Sequence, residues 1–267
     1  MKIIEVVDAL ERFAPLPLQE DYDNAGLQVG LTEAEVSGAL LCLDVTDAIL
    51  DEAIENGCNL IVSHHPLIFR KLARLTGEDY VQRVVMRAVS KGIAIVSMHT
   101  NMDAAKGGVN YKIAEKMGAE VYGTIGQQKQ ATNDRGEVVT GSDGVVARFK
   151  QPLAADDFLK MLKDVFRVEC VMAGEFLRRP ISTVAICGGA GDFLLKDAVA
   201  AGADAFVTGE MHYHQFFGME QAIQIAAIGH YQSEQFTKEV FKEIIEEACP
   251  GVRCVVSEID TNPILYI

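Results

Sequence analysis

Short apolar runs alternate with helical patterns in two stretches of the chain. GALLCLD (38–44), CNLIVS (58–63) and GIAIVSM (92–98) are nearly unbroken apolar runs, the pattern of strands buried on both faces. Between them, residues 46–56 and 80–91 repeat apolar side chains three and four apart, which predicts helices, and MKIIEVVDALERFA at the start follows the same spacing. The alternation returns with strands at 181–187, 204–208 and 224–229 and helices at 192–201, 214–222 and 232–248. This order implies an α/β class with largely parallel sheets. The stretch 123–144 is different, polar and rich in Gly, Thr, Asn and Gln, and reads as a long loop or a hairpin. VVARF (145–149), the helix-like ADDFLKMLKDVF (155–166) and RVECVM (167–172) then make a small connecting unit. The expected organisation is a first α/β half at 1–125, a connecting loop and small unit at 126–179, and a second α/β half at 180–267, the halves forming one two-lobed domain.

The two halves also resemble each other residue by residue. Set over DAVAAGADAFVT (197–208), EAIENGCNLIVS (52–63) shares Ala, Gly and Val, with Glu/Asp, Ile/Val, Asn/Asp and Ser/Thr exchanges elsewhere. Cys42 and Cys187 fall in the same register. We read an internal duplication.

Composition narrows the function. A hydrophobic share of 49% is ample for a sizeable core, and no run approaches the roughly 20 apolar residues of a membrane span. The expected setting is soluble and cytoplasmic, with the six scattered cysteines mostly buried thiols. A formal charge of -14 disfavours a nucleic-acid groove, which depends on Lys and Arg displacing counterions. It leaves open a small anionic ligand met by local positive potential.

The chemistry-bearing residues cluster at strand ends. LIVSHHPL (60–67) ends in His64 and His65; MHTNMDAAKGG places His99 four residues before Asp103; GHYQSEQF places His230 four before Glu234. His212 and His214 follow the strand at 204–208, so all six histidines lie where an open α/β sheet gathers its ligands. Imidazoles with two carboxylates suit Zn, Mn or Fe. Neighbouring residues of an extended segment point to opposite sides, so His64 and His65 are expected to serve two metals, with a carboxylate bridging them.

At these residues the chain resembles the Nif-three-like family, whose members are often called GTP cyclohydrolase I type 2 homologues. The likeness runs through YDNAGLQVG (22–30), SHHPLIF (63–69), HTNMDAAKGGVN (99–110), TGEMHYH (208–214), GHYQSE (229–234) and DTNPILY (260–266). It implies duplicated α/β units facing each other across a dinuclear metal cleft, with His64, His65, Asp103, His230 and Glu234 as metal ligands and two divalent ions, Zn, Mn or Fe. It also implies a homohexamer, a trimer of dimers. Tyr22 stands where the family usually has Trp, and GSDGVVARF replaces its glycine-arginine pattern.

The function implied is metal-dependent hydrolysis of a nucleotide-like small molecule, with GTP opened at C8 of its guanine as the named candidate. His99 and Glu210 are the candidates for proton transfer or for orienting ligands, and His214, Asp23 and Asn24 for contacts around the metals or substrate. The alternative is a metal-binding regulatory or assembly protein with little catalysis of its own.

Overall fold

The computed structural model describes all 267 residues, Met1–Ile267. The first elements are α1 (Ile3–Phe13), β1 (Gly26–Val29), β2 (Ala39–Cys42), α2 (Asp47–Glu55), β3 (Leu60–Ser63), α3 (Tyr80–Lys91), β4 (Ala94–Ser97), α4 (Thr100–Ala104) and α5 (Val109–Lys116). Two long strands follow, β5 (Ala119–Thr132) and β6 (Val138–Leu153), then α6 (Ala155–Phe166), β7 (Met172–Ala173), β8 (Ile181–Cys187), α7 (Leu195–Ala200) and β9 (Ala205–Thr208). The chain closes with β10 (Gln224–Ala227), α8 (His230–Glu234), α9 (Thr237–Ala248) and β11 (Cys254–Val256). No helix is long and apolar enough to cross a membrane.

The chain packs as two units. The first comprises Met1–Ala105, Gln130–Thr140 and Thr237–Pro263; the second comprises Lys106–Lys129, Gly141–Phe236 and Ile264–Ile267. The first sheet has the order β1-β4-β3-β2-β11, parallel throughout except for β1. Every residue of β2, β3 and β4 is buried, which explains their unbroken apolar sequence. The helices between them are bounded as their sequences require. Thr46 caps α2 by accepting from Ile49 N at 3.3 Å, Asp79 caps α3, and Gly92 ends α3 in the left-handed region. Val84, Val85 and Ala88 of α3 pack with Ile49, Ile61 and Ile95 in one apolar cluster.

The second sheet runs β5-β6-β8-β9-β10-β7 and is mixed: a parallel centre, β8-β9-β10, lies between antiparallel β6 and β7. Its centre repeats the first sheet residue for residue. Ala39 pairs with Leu60 and Leu60 with Ala94; Val184 pairs with Ala205 and Ala205 with Gln224. Ala39 to Val184 and Leu60 to Ala205 are the same step of 145, the spacing that aligns the two sequence copies. The middle of the core row is Leu40, Ile61 and Ile95 in one copy and Ala185, Phe206 and Ile225 in the other. A larger central side chain is offset by a smaller neighbour, which preserves volume.

One open reading resolves as a hairpin, and two expectations change. The polar stretch 123–144 is the greater part of the β5–β6 hairpin, and its polarity reflects strands with little burial. Asn133 builds the turn, its Oδ1 accepting from Arg135 N at 3.1 Å and Glu137 N at 2.9 Å, while Gly136 takes φ +77°. The helix expected at 214–222 is a single 3-10 turn, Tyr213–Phe216, because Gly218 and Gln221 adopt positive φ. The helix expected at 232–248 is divided into α8 and α9, and its longer part, α9, packs in the first unit against α1 and β2. All six cysteines are free thiols.

Candidate metal centre

In the first unit, the backbone turns as β3 ends. His64 N donates to Cys42 O at 3.3 Å and His65 N to Leu43 O at 2.9 Å. Successive N–H groups of a regular strand point to opposite sides, so two in a row bonded to one neighbouring strand mark a departure from extended geometry. The expectation that His64 and His65 point apart is therefore corrected. Their ring centroids are 4.9 Å apart. His99, at the end of β4, brings a third ring to 5.3 Å from His64 and 5.4 Å from His65, and one ligand atom from each ring lies within 4.8 Å of the others. Asp103, one helical turn on, places Oδ1 3.6 Å from His64 Nε2.

Each imidazole is held through Nδ1. His64 Nδ1–H donates to Met98 O at 2.9 Å, His65 Nδ1–H to Asp44 at 2.7 Å and His99 Nδ1–H to Asp23 at 2.8 Å. A carbonyl cannot donate and an ionised carboxylate cannot either, so in the neutral ring the proton sits on Nδ1 and Nε2 carries the lone pair. That is the arrangement in which histidine binds metal, with an acceptor behind the ring fixing tautomer and direction.

The supporting acids are tuned to stay ionised. Burial pushes Asp23 up, but the hydrogen bond and charge of His99, with Thr100 and the Asn24 backbone, outweigh it and hold the group at about 2. Burial likewise pushes Asp44 up, and His65 together with the Thr261 hydroxyl brings it below its ordinary value of 3.8. Asn24 works on the loop instead. Its Nδ2 donates to Ile68 O at 2.6 Å and ties the Tyr22–Asn24 segment to the residues after the histidines. Asp44 joins this cluster although the motifs of the sequence do not single it out. It is the last residue of GALLCLD, so the rule that ligands gather at strand ends would have found it.

In the second unit, α8 begins at His230 itself. His230 Nδ1–H donates to Glu210 at 2.7 Å, and Nε2 lies 3.2 Å from Glu234 Oε2. Glu234 is 3% exposed. Gly189, at φ +59°, leaves it room: a Cβ there would stand 2.3 Å from Glu234 Oε1. Ser233 Oγ ties the loop to the helix, accepting from Gly189 N at 3.0 Å and donating to His230 O at 2.7 Å. Glu210 thus sits behind a ring, where it orients the imidazole.

The remaining histidines are placed otherwise. His212 is exposed and pairs with Asp192 at 2.7 Å; His214 is exposed and stands against Tyr213 and Phe217, with ring centroids 5.2 and 6.2 Å away. Neither belongs to a group able to hold a metal ion, so the six histidines do not gather as one set. What each unit offers is imidazole nitrogen beside carboxylate oxygen, a donor set for Zn, Mn or Fe.

Known proteins resemble this chain in sequence and in fold. The model of the family described as Duf34/NIF3 (NGG1p interacting factor 3) matches residues 1–263. A "GTP cyclohydrolase 1 type 2 homolog" of Clostridium perfringens is 30% identical, with both chains covered in full. "NIF3-like protein 1" of Drosophila melanogaster is 29% identical over all of this chain and 89% of its own. Among solved structures, the Staphylococcus aureus hypothetical protein SA1388 superposes with a TM-score of 0.88 at 27% identity, covering 100% of this chain and 99% of that one.

Proposed function

Because the chain belongs to the Duf34/NIF3 family, we propose that it is a metal-dependent hydrolase acting on a nucleotide-like substrate, with His64, His65, Asp103, His230 and Glu234 together holding two divalent ions. The observation that carries this reading is the commitment of Nδ1 on His64, His65 and His230 to an acceptor, which turns Nε2 into a ligand atom. His212 also has a carboxylate at Nδ1 but belongs to no group of ligand atoms, whereas these three do.

Ions bound there supply a nucleophile near neutral pH and polarise the centre under attack. The chain's own groups do the rest. Asp44 and Glu210 fix the direction of His65 and His230, Met98 O does so for His64, and the Asp23–His99 pair is the group suited to move a proton, since Asp23 stabilises the imidazolium that forms. GTP is the first substrate to try, on the strength of the names of the relatives. A homohexamer in the cytoplasm belongs to the same proposal, and light scattering measures the assembly.

The test is metal analysis of the purified protein and then a nucleotide panel, wild type against Glu234→Ala. We expect divalent metal in the wild type, loss of it in the variant, and turnover that tracks the metal. Metal bound with no turnover on any nucleotide would overturn the hydrolase reading in favour of a regulatory or assembly role.

A further inference from the structure

Immediately after His64 and His65 the first unit opens into a cavity of about 510 Å³ between Pro66 and Gln82. Its wall includes Phe69, Arg70, Lys71 and Arg74, with Glu78 and Asp79 before α3. In a chain of net charge -14, the run from Pro66 to Leu75 carries three cations and no acid. These cations are exposed, and none makes a hydrogen bond or ion pair with the rest of the chain. Other arginines are engaged: Arg12 with Asp134, Arg87 with Asp47 and Asp51, Arg179 with Asp204. Of the two acids on the wall, Asp79 is already occupied, accepting from Gln82 N at 2.8 Å and Gln82 Nε2 at 3.0 Å.

Phe69 connects this cavity to the histidines. It lines the wall, is 44% exposed, and meets the His99 ring edge-to-face with centroids 6.2 Å apart. A ligand lying across Phe69 therefore has nitrogen donors at one end and uncommitted cations at the other. The volume falls in the range of small-molecule sites, and free guanidinium groups match phosphate oxygens in geometry as well as charge.

We propose that Arg70, Lys71 and Arg74 bind the phosphate chain of the substrate, so that this protein takes nucleoside di- or triphosphates in preference to nucleosides or free bases. The inference rests on the nucleotide-hydrolase proposal and adds to it the part of the substrate that is recognised.

The experiment measures calorimetric binding of GTP, guanosine and inorganic triphosphate to the full-length, metal-loaded protein and to the triple variant R70Q/K71Q/R74Q. All three positions are exposed and unpartnered, so the variant should fold and keep its metal. We expect the Kd for GTP to rise about a hundredfold in the variant, as for the loss of two charge-assisted contacts, and inorganic triphosphate to compete with GTP only in the wild type. Guanosine should bind both proteins alike and more weakly than GTP binds the wild type. A GTP affinity unchanged in the variant, or guanosine weakened as much as GTP, would overturn the inference. GTP binding that needs the three cations but leads to no turnover would support it while sinking the hydrolase proposal.

Discussion

In the first unit the end of β3 carries His64 and His65; 145 positions later, at the end of β9, the same two places hold Gly209 and Glu210. Glu210 N donates to Gly189 O at 3.0 Å, one residue beyond the counterpart of Leu43, whose carbonyl accepts from His65 N. The side chains differ because the turns beyond the neighbouring strands differ in length. Two steps lead from Ser97 to His99, but three from Ala227 to His230, and Gly229 at φ +96° takes up the extra residue. The helix start then presses on the strand end: a Cβ on Gly209 would meet Gly189 O at 2.6 Å, His230 Cα at 2.8 Å and Ser233 Oγ at 2.8 Å. One copy has space for an imidazole there and the other does not. Duplication supplied two equal scaffolds, and a single added residue decided which would gather nitrogen donors and which would hold one ring with an acid behind it.

This contrast can be broken by exchanging what the two places do. On the proposed reading, His65→Ala removes a ligand atom, whereas Glu210→Ala removes only the acceptor behind one. Competition with a chelator should show His65→Ala losing metal by a larger factor than the roughly 10–100-fold expected for Glu210→Ala. Equal losses would mean that the two positions play the same part after all. Glu210→Gln keeps the size and a weaker acceptor, and should fall between wild type and Glu210→Ala in the same titration.

The crowding at β9 gives a smaller, structural effect. Gly209→Ala should destabilise the fold by about 1–3 kcal/mol, the usual cost of overpacking, read as a lower midpoint in urea. An unchanged midpoint would show that the helix start yields easily, and the added residue would no longer explain the missing imidazole.

The smallest effect concerns a matched pair at the other end of these strands. Asn59 Oδ1 accepts from Ser37 N at 2.9 Å, and Asp204, 145 positions on, accepts from Ser182 N at 3.0 Å. Burial raises Asp204, but hydrogen bonds from Ser182, Thr183 and Arg179 outweigh it and hold the carboxyl below 3.8. A depressed folded value stabilises the protein above the unfolded pKa, and that stability is lost as pH falls through the folded one. At this position only the second copy carries a titrating group, since the first has Asn59. Asp204→Asn should therefore flatten the acid limb of a stability profile below about pH 4, and a limb as steep as wild type would place the sensitivity elsewhere.

The repeated strands and their polar ends were legible because four buried residues in a row can be little else, and because the copies reinforce each other. Tertiary detail was not. Nothing local to LIVSHHPL announces that the chain leaves its strand at Ser63, so the alternation of a regular strand does not extend to His64 and His65. The segment 214–222 has helical spacing, yet Gly218 and Gln221 in left-handed conformations stop it after one turn. The histidines at 212 and 214 sit at a strand end like the others, but both are exposed and neither has two further ligand atoms beside it.

The outermost strand of the first sheet has a consequence for how the molecule is made. Cys254 of β11 pairs with Ala39 of β2, so a ribosome must pass through the entire second sheet before that edge can be closed. Until then β2 waits with a bare backbone rim, an invitation to the wrong neighbour. The sheet that emerges first is the last to be finished, and a chain shortened before residue 254 would leave it open for good.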